Sequence, residues 1–205
     1  KVVDVLTPKY DVVARFQGGP NAGHTLEFGG ERYILRSIPS GIFQGDKLNV
    51  IGNGVVLDPI LFAEEARALS RSGHDLRKRL LISRKAHLIL PTHRYIDAAQ
   101  EALKAKIGTT GKGIGPTYTD KIGRTGLRVG DIEHQLEERY QAAKERHLAL
   151  LRAWNYPVEG LEELEQQWME GIRYLQEFTF VDSEHFVNES LHRGQSVLAE
   201  GAQGS

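Results

Sequence analysis

The sequence predicts an α/β protein built on a mostly parallel sheet with helices on both faces. Short apolar runs rich in β-branched residues alternate with segments of helical periodicity along the 205 residues, the pattern of strands joined by helical crossovers. The 22 glycines gather in short runs just beyond several of the apolar segments. In sheets of this kind ligands sit beyond the carboxyl ends of the strands, on backbone loops of that composition.

Residues 11–16, with Val12, Val13 and Phe16, read as a buried strand closed by Gly18-Gly19-Pro20. Residues 32–36 and 47–51 read as further strands, since β-branched and aromatic side chains lie there between turn signals. Asp58-Pro59 starts a helix, a capping carboxylate followed by proline at the first helical position. Phe62, Ala66 and Leu69 continue it at helical spacing and Gly73 ends it. Residues 80–83 and 86–90 are expected to be strands and 92–104 a helix. The stretch 106–130 is rich in glycine and threonine and reads as one long loop, a length that points to function.

Beyond it Asp131 is expected to cap the longest helix, with Ile132, Leu136, Tyr140, Ala143, His147, Leu150 and Trp154 along one face. Leu161, Leu164, Trp168, Ile172 and Leu175 mark a second helix. Together they read as a helical hairpin insertion over about residues 131–177, turning at Pro157. Residues 178–181 form a strand, Ser183 caps a short helix that ends at Gly194, and 196–199 form the last strand. The whole of 1–205 reads as an incomplete single α/β domain.

The composition, 40% hydrophobic and 26% charged, is that of a soluble globular chain. A formal net charge of −1 argues against a nucleic-acid surface. The absence of cysteine excludes disulfides and thiolate metal sites. No apolar run is long enough to cross a bilayer and no leader precedes the first strand, so a cytoplasmic protein without membrane partners is expected.

Three segments could carry chemistry. Gly18-Gly19-Pro20-Asn21-Ala22-Gly23-His24-Thr25 has the spacing of a phosphate loop with His24 in the lysine position. The strand-like Leu26-Glu27-Phe28 follows it where that motif needs a helix, so it is not a true phosphate loop. It is either a surface turn carrying a histidine or a tight turn presenting one imidazole and one hydroxyl. Gly108-Thr109-Thr110-Gly111-Lys112-Gly113-Ile114-Gly115-Pro116-Thr117-Tyr118 offers amides, hydroxyls and a cation. That combination suits a phosphate, or else forms a lid with no ligand. Lys121, Arg124 and Arg128 follow it as further cations. Ala199-Glu200-Gly201-Ala202-Gln203-Gly204 places a glutamine in a glycine turn at a strand end; taken alone it reads as a plain strand-to-loop turn, and otherwise as one able to read an amide edge or a ribose. His147 falls on an apolar helical stripe and reads as packing. His87, His93, His185 and His192 show no metal-ligand spacing.

Taken together, and with Arg36-Ser37-Ile38-Pro39-Ser40-Gly41 and Ile51-Gly52-Asn53-Gly54-Val55-Val56, these segments closely resemble the adenylosuccinate synthetase family, in the family's order and over essentially the whole chain. The resemblance implies a P-loop-NTPase-like fold and a GTP-dependent ligation of IMP and L-aspartate in AMP biosynthesis through a 6-phosphoryl-IMP intermediate. It implies a catalytic role for His24, hydrogen-bonded to the purine 6-oxygen as charge develops there. It implies that Asn21, Ala22, Gly23, His24, Thr110, Arg124 and Gln203 bind IMP, with Arg124 crossing a homodimer interface to the partner's site. Gly23, His24 and Thr25 would lie at the phosphates of GTP, and the carbonyl of Gly23 would ligate Mg²⁺.

The departures carry expectations too. Of the family's Gly-Asp-Glu-Gly-Lys-Gly-Lys loop, with its general-base aspartate, only Lys1 has a counterpart, and the aspartate-binding loop and guanine motif have none. Residues 1–205 alone are therefore expected not to turn over. The alternative is a non-catalytic remnant that binds IMP or mediates dimerisation.

Overall fold

The computed structural model describes residues 2–21, 23–28, 31–103, 108 and 110–202, without the side chains at 2, 4, 24, 26–28, 31 and 32. Its spine is a sheet of parallel strands. β1 (Val12–Gly18) lies between β4 (Leu48–Leu57) and β8 (Val197–Glu200), β5 (Leu80–Ser83) flanks β4 on its other side, and β7 (Thr179–Val181) flanks β5. β6 (His87–Leu88) pairs with the far end of β4. A separate antiparallel hairpin, β2 (His24–Phe28) and β3 (Glu31–Leu35), leaves the end of β1. Val12-Val13-Ala14 and Val50-Ile51 are buried without alternation, as parallel strands covered on both faces require.

Successive residues of β4 point to different cores. Ile51 joins the large cluster under α2 (Pro59–Arg71) and α6 (Leu161–Leu175), which includes Phe62, Ala66, Leu69, Trp168 and Ile172. Val50 joins Val12 and Ala14 on the opposite face, where Phe186 of α7 (Ser183–His192) covers them. The expected sheet with helices on both faces is therefore what forms. α2 begins as its sequence indicates: the Asp58 carboxylate accepts from the N–H groups of Ile60 and Leu61, and Arg94 binds its other oxygen. The Trp168 indole donates to the carbonyl of Ile89 at 2.8 Å, so the largest fully buried side chain has its polar atom satisfied.

Several expectations are corrected. The stretch 106–130 is not one loop: α4 (Ile114–Ile122) lies inside it, and a 3₁₀ turn, Val129–Glu133, closes it. Pro116 stands in the first turn of α4, where a missing N–H costs nothing. Asp131 does not cap the long helix. Its carboxylate accepts from the N–H of Arg128 within the 3₁₀ turn, and α5 (Leu136–Ala153) starts three residues later than the last residue of that turn. Leu151 rather than Leu150 is buried on α5, packed with Ile96 and Ala99 of α3 (Pro91–Leu103), beside His147, which meets Thr92 of the same helix. α5 and α6 meet through the stacked rings of Tyr140 and Trp168, 4.9 Å apart. Asp182, not Ser183, caps α7 through the N–H of His185. β4 runs to Leu57, well past the expected end at residue 51. Among the described residues no helix is long and apolar enough to cross a membrane.

Candidate functional site

The three glycine-bearing segments, far apart in sequence, meet beyond the carboxyl ends of β1, β4 and β8. Gly18 has φ 101°, and a Cβ there would lie 2.2 Å from the Cβ of Ala202, so only glycine lets the first and third segments touch. The first and second segments are joined by Lys112, whose ammonium donates to the carbonyl of Pro20 at 3.2 Å. Gly19 lies against the Ile114 side chain at the start of α4.

The phenol of Tyr118, on α4, ties the strand ends together. It accepts from the N–H of Gly18 at 3.2 Å and donates to the carbonyl of Gly54 at 2.9 Å. Lys121, one turn on, donates to the carbonyl of Asn53 at 2.6 Å.

Two buried carboxylates hold the floor. Glu65 of α2 accepts from the N–H groups of Arg36, Ser37 and Ile38 at 2.8, 3.0 and 3.1 Å. Burial pushes its carboxyl up to about 7, against the pull of those N–H groups and of Arg15. Glu200, at the end of β8, accepts from the N–H and hydroxyl of Ser40 at 2.9 and 2.8 Å. Arg15 is buried in the field of both, and desolvation lowers the pKa of its guanidinium. Among the described residues its Nε and Nη2 have no hydrogen-bond partner, so a buried cation sits beneath the loops with donors to spare.

The expected site residues are placed as follows. Asn21, Gly23 and Thr25 are exposed, on and just after the turn that follows β1. The backbone of His24 opens β2 opposite Leu35; its side chain lies outside the described residues, as do Ala22 and Gln203. Thr110 is exposed in the second segment. Arg124 is not brought to the loops. It lies past the far end of α4 from Ile114, about 15 Å away at the helical rise per residue. It is exposed, with φ 58°.

No spacing in the sequence points to the most connected group in this region. His93 of α3, Asp120 of α4 and His147 of α5 converge, with both imidazole Nε2 atoms 3.1–3.2 Å from Oδ2 of Asp120. Their polar atoms lie close enough together to suggest a metal site. The hydrogen bonds argue otherwise. The backbone N–H of Leu90 can only donate, and it points at Nδ1 of His93 at 3.0 Å. That nitrogen is therefore unprotonated, so in the neutral ring Nε2 carries the proton and has no lone pair for a cation. Burial holds His93 down to about 4, so it is neutral at ordinary pH. Burial would raise Asp120, but the bonds from His147 and His93 outweigh it and keep the carboxylate ionised. The trio is a hydrogen-bonded junction of three helices.

The family model described as adenylosuccinate synthetase matches residues 1–205. The chain is 72% identical to the adenylosuccinate synthetase of Porphyromonas gingivalis and 71% to that of Bacteroides thetaiotaomicron, over its full length and 49% of theirs. It thus spans about half the length of the curated relatives it matches. Among solved structures, a fully ligated adenylosuccinate synthetase from Plasmodium falciparum superposes with a TM-score of 0.84 at 31% identity, covering 99% of this chain and 48% of that one.

Proposed function

The chain belongs to the adenylosuccinate synthetase family, and on that premise we propose that it forms the IMP-binding half of a GTP-driven ligase joining IMP to L-aspartate. The observation that carries this reading is the meeting of three glycine segments at the sheet's carboxyl edge, with Gly18 on Ala202 and Lys112 on Pro20. Such a rim of amides, hydroxyls and a lysine suits a nucleoside monophosphate.

In this reading His24 donates a hydrogen bond to the purine 6-oxygen. As the γ-phosphoryl group moves from GTP to that oxygen, the O6–P bond forms, the bond to the β-phosphate oxygen breaks, GDP leaves, and the N1 proton of IMP passes to the general base of the family's loop, of which only Lys1 has a counterpart here. The imidazole stabilises the charge that develops there. The amine of aspartate then attacks C6, its C–N bond forms, and phosphate departs with the former 6-oxygen. Asn21, Ala22, Gly23, Thr110 and Gln203 surround the nucleotide, and Gly23, His24 and Thr25 approach the phosphates of GTP. Arg124 is too far along α4 to serve the same pocket, which fits a role at the partner's IMP phosphate in a homodimer.

Mg²⁺ takes a near-octahedral shell of oxygens. Gly23 is exposed and offers one carbonyl, and the acidic residue of the His93–Asp120–His147 junction is already engaged by imidazole N–H groups. The described residues do not by themselves build a magnesium site.

The test is a chimera in which residues 1–205 replace the matching half of the 72% identical relative. IMP, GTP and aspartate should yield adenylosuccinate, and His24→Ala should lower kcat by on the order of 10²–10³-fold. Unchanged turnover in that variant would remove the electrostatic role of His24. IMP binding without turnover in the parent chimera would overturn the ligase reading and favour a binding remnant.

A further inference from the structure

The residue that follows Gly123, the C-cap of α4, is in the wrong conformation for its type. Arg124 has φ 58°, the left-handed region that helix ends usually give to glycine. The turn around it is fully bonded. The N–H groups of Thr125 and Gly126 reach the carbonyl of Asp120 at 3.0 and 3.1 Å, and that of Arg124 reaches Lys121 at 3.3 Å. Holding a side chain there is unfavourable, and it persists only where the surroundings dictate it. Here they do, through one residue. The Asp120 carbonyl accepts both turn N–H groups, and its Oδ1 accepts from the Thr125 hydroxyl at 3.2 Å. Its Oδ2 takes the two imidazole N–H groups, with Arg146 at 3.8 Å. Arg146 also donates to the carbonyl of Thr125 at 2.9 Å. The imidazoles are themselves fixed, His93 by Leu90 and Thr117, and His147 by Thr92 at 2.6 Å.

We propose that Asp120, gripped by His93 and His147, is a positioning residue: it locks the turn 123–126 in the strained form that projects Arg124 away from the chain's own loops and toward a phosphate held by a second copy. The Arg124 guanidinium fits the part, being exposed and without a hydrogen bond or ion pair among the described residues. A side chain needed only for packing would gain nothing from this conformation. The inference rests on the reading of Arg124 given above and extends it to the residues that aim it. A rigid mount matters because a long arginine side chain otherwise loses rotamer freedom each time it binds.

The experiment uses the chimera and reads KM and kcat for each substrate in Asp120→Asn, Arg146→Ala, Arg124→Ala and the Asp120→Asn/Arg124→Ala double variant. In Asp120→Asn the amide can offer its oxygen to the two imidazoles only by turning its N–H groups toward the Thr125 hydroxyl, and it loses the charge that holds both. The expected result is a rise in KM for IMP of on the order of 10-fold for Arg124→Ala, the loss of a charge-assisted bond to phosphate. Asp120→Asn should raise it by a similar factor, leave kcat and the KM for GTP unchanged, and add nothing once Arg124 is gone. General loosening of the fold would instead lower kcat through the active fraction. Arg146→Ala, at an exposed position, should raise KM for IMP by about 3-fold and serves if Asp120→Asn does not fold. If Arg124→Ala leaves KM for IMP unchanged, the reading of Arg124 fails. If it raises KM while Asp120→Asn and Arg146→Ala do not, the positioning role fails. A visible absorption band on adding Co²⁺ would overturn the hydrogen-bonded assignment of the junction.

Discussion

The two ends of α4 use the same left-handed backbone for opposite reasons. At its start Gly113 has φ 73°, and a Cβ there would lie 2.8 Å from the Cβ of His93 and 2.9 Å from its backbone. Its N–H is taken by the buried carboxylate of Asp97 at 2.9 Å. At the far end Arg124 adopts φ 58° in the open. The first residue is glycine because there is no room for anything else. The second keeps a long side chain although glycine would be more comfortable. The same torsion therefore marks a packing constraint in one place and, on the role proposed for Arg124, a functional demand in the other, and burial tells them apart.

Breaking the buried end should have the largest effect. Gly113→Ala must move His93 or the start of α4, and should cost about 3 kcal/mol or more, read as a fall in thermal midpoint at fixed protomer concentration. A loss below about 1 kcal/mol would mean that the contact yields easily.

His93, which Gly113 packs against, sharpens the contrast through pH. Its folded pKa is depressed to about 4 from 6.5. Unfolded chains therefore bind its proton first, and its contribution to stability, complete above 6.5, is lost as pH falls toward 4. The shift of 6.5 − 4 = 2.5 pH units corresponds to about 3 kcal/mol over that window at most. Glu65, raised to about 7, acts in the opposite sense between 4.5 and 7. The informative quantity is therefore the difference in slope between the parent and His93→Gln, which should flatten the acid loss. Equal slopes would mean that His93 is not held neutral.

The exposed end should show the smallest effect, with the reverse sign. Arg124→Gly should raise stability by about 0.5–1 kcal/mol, since glycine takes the left-handed turn without strain. A destabilised variant would mean that the arginine side chain serves the fold itself.

How far the sequence reveals this depends on range. Asp58, the strand at 80–83 and the stripes of α2 and α6 are local patterns, and they are found where they are read. α4 stays hidden because Gly115 and Pro116 look like breakers, although proline fits a first helical turn, and its nine residues carry only a short stripe. The three glycine segments can be singled out one by one, but nothing in their spacing says that Gly18 touches Ala202. Asp120 stands 27 residues from each of its two histidines, on different helices, a separation that no local period encodes. His147 reads as a packing residue from its stripe, and its polar partners come only from tertiary structure. Arg15 is similar: in the strand read from Val12, Val13 and Phe16, Phe16 is exposed and Arg15 is the buried residue, a cation under the site.

The pairing of the first strand with the last has a consequence for how the chain is made. Val12 of β1 pairs with Val197 of β8, and Asp11 binds the N–H and hydroxyl of Ser196, 185 residues along the chain. On a ribosome β1 therefore keeps the edge that β8 covers bare while the 185 residues from Asp11 to Ser196 are synthesised. At about 5–20 residues per second that wait is on the order of ten seconds or more, time in which an exposed edge can find the wrong neighbour. The bulk of the fold around β4, β5, α2 and α6 can close meanwhile. The edge that carries the candidate site is the part that must wait for β8.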